Sequence, residues 1–260
     1  MPLALAVPIA LLPSVLWILV VRWWDRREPE PPRLLARLFV GGILGAIIIG
    51  ILRLLGQVVL VSGGFLPPLD TLSLDDGLVS LIAGALLIAA IQEVVKLAIA
   101  RRLVAHERAF SQVVDGIVYT TTVAWGVALV ENILLLLRTL PLLPALDAPE
   151  ISALTYQFLF TTLVLGVSSG YAGLALGEVR RAAPATRAAE YAILARGLFE
   201  AIFIHATFRI LVLLGQPALA GVMTLLAAVY LFSRFATHLF SGRPIVATVG
   251  QQAPPRKGAG

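Results

Sequence analysis

The sequence predicts an all-α polytopic membrane protein, a bundle of about seven transmembrane helices with its N-terminus outside and its C-terminus in the cytoplasm. Three observations carry this reading. Of 260 residues, 59% are hydrophobic and only 13% are charged, about half the charged share of a soluble domain. The apolar residues fall into runs of about 20, the length that crosses the hydrocarbon core of a bilayer. Lys and Arg gather in alternate connections between those runs. No soluble fold of this size hides so much apolar surface, so the lipid bilayer is the first partner. The net charge of +5 comes from 20 Lys+Arg against 15 Asp+Glu. It reflects the connections; no zinc-finger, RNA-binding or basic-helix pattern points to nucleic acid. The chain has no cysteine, which excludes disulfides and thiolate metal sites.

The spans follow in order at about 3–23, 36–61, 77–100, 112–138, 151–178, 190–214 and 217–240. The first resembles a signal peptide in hydrophobicity, but its basic cluster (Arg22, Arg26, Arg27) comes after the apolar run. That order fits an uncleaved helix starting outside. Asp75 and Asp76 are candidate caps for the third helix, and Pro149-Glu150 suits the first turn of the fifth. Pro184 marks the fifth connection and Pro217 starts the seventh span. Residues 1–242 then form one transmembrane domain, and 243–260 a short Pro/Gly-rich cytoplasmic tail.

Orientation rests on the basic residues. The first connection holds Arg22, Arg26, Arg27, Arg33 and Arg37, the third Arg101, Arg102 and Arg108, and the fifth Arg180, Arg181 and Arg187. The tail adds Arg243, Arg256 and Lys257, whereas the second and sixth connections hold none. Gly166, Gly170, Gly173 and Gly177 make a stripe on helix five, and Gly41 and Gly45 a shorter one on helix two. Such stripes let helices approach closely.

A charge at a span centre costs about 2.5–3.5 kcal/mol on insertion scales, so intramembrane ionisable residues mark function by default. Helix three carries Glu93 and Lys96, helix four Asp115 and Glu131, and helix six Arg196, Glu200, His205 and Arg209. Helix two has only Arg53, and helices one, five and seven have essentially none away from their ends. This segregation places helices three, four and six around a shared polar interior. Each residue also has a structural reading. Lys96 can pair with Glu93 one turn away, Arg196 with Glu200, and Asp115 can cap helix four. Arg209 reads as a surface anchor, Arg53 has no evident partner, and His106 and His238 read as incidental. Glu93, Glu131 and His205 are harder to dismiss. Carboxylates, an imidazole and the amide of Asn132 in a semi-dry cavity suit water-activated hydrolysis, and equally a proton relay in a transporter.

Four segments together resemble the PrsW family of intramembrane proteases, distant relatives of the CAAX-processing endopeptidases. They are Trp24-Asp25-Arg26-Arg27-Glu28-Pro29-Glu30-Pro31, Gln92-Glu93-Val94-Val95-Lys96, Asp115-Gly116-Ile117-Val118-Tyr119 with Glu131-Asn132, and His205. The second is similar to the family's Glu-Glu-x-x-Lys motif, with Gln92 in place of its first glutamate. The resemblance implies cleavage of a single-span membrane protein, such as an anti-sigma factor, in a bacterial plasma membrane. It gives position 92, Glu93 and His205 the catalytic roles, with Lys96, Asp115, Glu131 and Asn132 supporting them. In that mechanism Glu93 deprotonates a water, and His205 stabilises the oxyanion or protonates the leaving amine.

Gln at 92 keeps the shape of Glu and loses its acid–base function. The chain is then an inactivated variant, natural or engineered, a homologue that uses Glu93 alone, or a pseudoprotease scaffold. No cofactor is expected; the alternative is a metal held by Glu93, Glu131 and His205, without an HExxH pattern to support it. A proton- or ion-coupled transporter is the competing function, but internal repeats and paired broken helices are not evident. With the span edges above, Glu93 and Glu131 differ in depth by about 15 Å at 1.5 Å per residue, which ranks Glu93 and His205 above Glu131.

Overall fold

The computed structural model describes residues 2–24, 30–64, 67, 77–139, 142 and 148–240. These form seven α-helices: α1 (Pro2–Trp24), α2 (Pro32–Ser62), α3 (Leu78–Val104), α4 (Val113–Thr139), α5 (Ala148–Ala182), α6 (Arg187–Leu213) and α7 (Pro217–Phe240). No strand occurs among the described residues. In lipid every backbone N–H and C=O must find a partner within the chain, and the helix does this locally. Five helices are long and apolar enough to cross a membrane by length and composition: α2, α3, α4, and the segments Phe158–Ala182 of α5 and Pro217–His238 of α7. The apolar stretch of α1, Val7–Val20, is shorter. α6 falls outside that group because Arg196, Glu200 and Arg209 interrupt it.

Helix ends carry local signals. Pro32 opens α2 at a position where its missing N–H is no loss. α2 closes at Gly63, whose N–H bonds Val59 O, followed by Gly64 at φ 69°. Thr186 caps α6 by accepting from the Ala189 N–H. The start of α3 differs from expectation: Gly77, at φ 88°, is its N-cap, and no side chain caps it. Asp75 and Asp76 lie outside the described residues, as do residues 25–29 and the tail 243–260.

α4 is the central helix. Every residue from Val113 to Leu129 is buried, with α5 and α2 packed most extensively against it and α1 beside them. Its small residues permit this. A Cβ on Gly116 would strike the backbone oxygen of Gly173, one on Gly177 the oxygen of Val113, and one on Gly42 the oxygen of Val123. The glycine stripe on α5 therefore sets its crossing with α4. Thr120, Thr121 and Thr122 turn their hydroxyls back to the carbonyls of Gly116, Ile117 and Val118 at 2.9, 2.8 and 2.7 Å, so a threonine run stays satisfied without water. Apolar side chains of α2 and α7, such as Leu54, Val59, Leu226 and Val229, point outward to form the lipid-facing surface.

The basic connections meet at one end of the bundle. Arg37 Nη1 bonds Glu107 Oε1 at 2.8 Å, linking the start of α2 to the α3–α4 connection. Arg101 at the end of α3 pairs with Glu190 at the start of α6. Arg196 pairs with Glu178 of α5, which Arg234 also approaches at 3.4 Å; the expected partner Glu200 on its own helix is not the one used. A neighbouring helix offers Arg196 an acid across the interface.

Candidate active site

Midway along α3, Gln92, Glu93 and Lys96 are fully buried. Adjacent residues on a helix diverge by about 100° around its axis, so Gln92 and Glu93 face different neighbours. Glu93 turns toward α5 and α6. Its Oε1 contacts Lys96 Nζ at 2.7 Å, His205 Nδ1 at 2.8 Å and Ser168 Oγ at 2.8 Å. Its Oε2 accepts from Ser169 Oγ at 2.9 Å. Buried charge is tolerated only when paired and hydrogen-bonded, and this carboxylate is both. His205 is itself buried, 2% exposed. With an ammonium and two hydroxyls holding Glu93 as an acceptor, His205 Nδ1–H donates to it, which leaves a lone pair on Nε2. Nε2 has no hydrogen-bond partner among the described residues.

Gln92 turns toward α4. Its Nε2 donates to Glu131 Oε1 at 2.7 Å, and Arg53 Nη1 stands 3.6 Å from the same oxygen. The structure thus closes the depth gap expected between α3 and α4. α3 runs to Val104 and not to about 100, which brings the helix midpoint about 4 Å nearer to Glu93; the long Gln and Glu side chains span the rest. Arg53 acquires a partner that sequence order did not reveal.

The remaining expected residues have other places. Asn132 Nδ2 donates to Thr162 Oγ1 at 2.8 Å, a buried tie between α4 and α5. Asp115 Oδ2 accepts from the backbone N–H of Ser111 and Gln112 at 2.8 and 2.7 Å, holding the start of α4. It sits two residues into α4, apart from the contacts that hold Glu93. Tyr119 OH donates to Glu30 Oε2 at 2.6 Å, so Glu30, just before α2, docks on the helix that carries the Asp-Gly-Ile-Val-Tyr sequence. The polar interior around Glu93 is built by α3, α5 and α6. α4 contributes Glu131 on the far side of Gln92 instead. Ser168 and Ser169 were missed in the sequence, where helix five shows only glycines and no charge; two adjacent hydroxyls inside a glycine stripe were the available signal.

The PrsW family intramembrane metalloprotease profile matches residues 30–235. The chain belongs to this family. No curated protein and no solved structure matches it. Membership makes this a multi-pass membrane protein of an intramembrane protease family, embedded in lipid and acting on membrane proteins. The family's description as metalloproteases raises the question of a metal. A metal site needs several converging donors, and among the described residues no group of three His, Cys, Asp or Glu side chains converges. Glu93 and His205 touch, but Glu93 Oε1 already meets the Lys96 ammonium at 2.7 Å, which repels a cation. Glu131 is turned to Gln92 and Arg53. Glu93, Glu131 and His205 in this arrangement do not fit a metal.

Proposed function

We propose that this chain hydrolyses a peptide bond of a single-span, membrane-anchored protein, such as an anti-sigma factor, in a bacterial plasma membrane, with Glu93 and His205 as the catalytic pair. The observation that carries this reading is the 2.8 Å contact of His205 Nδ1 with a Glu93 carboxylate whose two oxygens are filled by four contacts. A carboxylate so engaged is a better orienting group than a base. In this mechanism His205 Nε2 takes a proton from water while the water oxygen bonds the scissile carbonyl carbon. Glu93 holds the tautomer and balances the imidazolium that forms, as in other carboxylate–histidine pairs. The imidazolium then gives its proton to the leaving nitrogen as the carbon–nitrogen bond breaks. The direct attack of a Glu93-activated water, expected from sequence, gives way here to a shared role.

Gln92 stands where the family motif carries glutamate, and it cannot exchange a proton. We infer that turnover by this chain is impaired, and a non-catalytic, pseudoprotease role is the second reading this one residue favours. The test is cleavage of candidate single-span substrates in proteoliposomes by this chain and by its Gln92→Glu version. In the more active of the two, Glu93→Gln puts an amide against His205 Nδ1 and favours the wrong tautomer, with an expected loss of about 10⁴-fold. His205→Ala removes the base and is expected to abolish cleavage. Chelator is added in parallel to test metal dependence. Activity that survives loss of both Glu93 and His205 rules the mechanism out.

A further inference from the structure

Beside the Glu93–His205 pair, four helices bring together a second polar cluster that shares none of its hydrogen bonds. α2 supplies Arg53, α3 Gln92, α4 Glu131 and α6 Arg209. Glu131 Oε1 is the hub, with Gln92 Nε2 at 2.7 Å and Arg53 Nη1 at 3.6 Å. Arg209 lies within electrostatic range of both Arg53 and Glu131. Two buried atoms of this cluster have no hydrogen-bond partner among the described residues, the acceptor Gln92 Oε1 and the donor Arg209 Nε. Buried polar groups are rarely left so, and each such atom calls for an explanation.

The charges do not balance either. Glu93 is matched by Lys96, but Arg53 and Arg209 face a single carboxylate. Among the described residues Arg209 makes no ion pair. The cluster is also open to an occupant, since the Arg53 and Glu131 side chains are 32% and 24% exposed.

We propose that Arg53, Arg209 and Gln92 form a subsite for an acidic group of the peptide substrate. The two guanidinium groups hold a carboxylate, and Gln92 Oε1 accepts a neighbouring backbone N–H. Guanidinium groups match carboxylate geometry through paired N–H donors. A peptide offers a carboxylate and a backbone N–H to the two orphaned atoms at once, whereas the phosphodiester of a lipid offers acceptors only and needs a separate headgroup donor to meet Gln92 Oε1. The proposal rests on the proteolytic reading above and gives it a substrate class: membrane-anchored segments with Asp, Glu or a free C-terminal carboxylate close to the cut. Arg209 follows His205 by one turn of α6, about 6 Å. That is about two residues of extended peptide, so the acidic group sits about two residues from the scissile bond.

Binding is the readout, so the result does not depend on turnover. The full chain in nanodiscs of zwitterionic lipid is titrated against a labelled single-span peptide, rich in Leu and Ala with one Gly-rich break. One Asp is scanned through and beside the break, with Asn at each position as control. A C-terminal acid against its amide separates a terminal from a side-chain carboxylate. Tighter binding of the acidic peptide by about tenfold or more at one or two neighbouring positions, or at the terminus, is expected. Arg209→Gln and Arg53→Gln should each bring that ratio toward one, and Arg209→Lys should keep part of it. Equal binding of acidic and neutral peptides by the parent chain overturns the proposal, whatever the variants do. So does a preference that survives both substitutions to Gln, or one erased by adding phosphatidylglycerol, which would assign the site to lipid phosphate. An acidic preference without cleavage by any version leaves the subsite standing and removes the protease reading; cleavage without the preference does the reverse.

Discussion

Gln92→Glu is the most informative single change in this protein. Gln92 Nε2 donates to Glu131 Oε1 at 2.7 Å, so the substitution sets a second carboxyl oxygen against an existing one. Two ionised carboxylates with charge centres about 4 Å apart repel by about 4 kcal/mol at an effective dielectric of about 20. The substitution also removes a hydrogen bond to a charged group, a contribution of about 1.5–3 kcal/mol. One proton shared between the two carboxyls relieves the repulsion, since a short O–H···O⁻ contact suits this spacing. The regained acid–base group should raise cleavage of a single-span substrate by about 10²–10⁴-fold. Stability, followed by unfolding in detergent, should fall by about 1.5–3 kcal/mol. Adding Glu131→Gln should return most of that stability by restoring an amide–carboxylate contact with the partners exchanged. Gln92→Leu is the control, with the loss of stability and no gain in cleavage. Equal cleavage by Gln92 and Gln92→Glu proteins refutes the assignment of an acid–base role to this position. Equal stability refutes the contact with Glu131.

Three further outcomes are expected. Lys96 and Glu93 are both fully buried and 2.7 Å apart, so Lys96→Met should destabilise the bundle by about 3–5 kcal/mol, and the double change with Glu93→Gln should recover most of it; a cost near zero for the single change contradicts the buried pair. Gly173→Ala places a methyl against the Gly116 carbonyl and Thr120 Oγ1 and should cost about 1–3 kcal/mol by overpacking, whereas Gly50→Ala, with nothing nearby, should be neutral or slightly stabilising; the two are compared by thermal unfolding. A reporter fused to the C-terminus should lie in the cytoplasm, because the basic connections cluster at the same end of the bundle as the start of α2; a reporter found on the outer side refutes the orientation and the odd span count.

Composition and pattern alone determined the helical class and the approximate placement of the seven helices among the described residues; the family was suggested by the resemblance of four short segments and shown by the match over residues 30–235. The reason is physical: a bilayer demands long apolar runs with internally bonded backbones, and that demand is written locally, residue after residue. The same local logic picked out Glu93, Lys96 and His205, since a charge inside an apolar run stands out without knowledge of the fold. The glycine stripes were legible as packing surfaces, though not which helix each would meet.

The tertiary structure decided what those residues touch. Gln92 and Glu93 are neighbours in sequence, yet the turn of the helix sends one to Glu131 and the other to His205. Ser168 and Ser169 carry no charge to mark them in the sequence, yet on α5 both hydroxyls meet the Glu93 carboxylate of α3. Arg53, which has no evident partner in the sequence, stands beside Glu131 because α2 packs on α4, and Arg209, read from the sequence as a surface anchor, lies within electrostatic range of both. Such contacts depend on rotation and crossing angle, properties of helix pairs, whereas a span is a property of one segment in lipid and can be read from that segment alone.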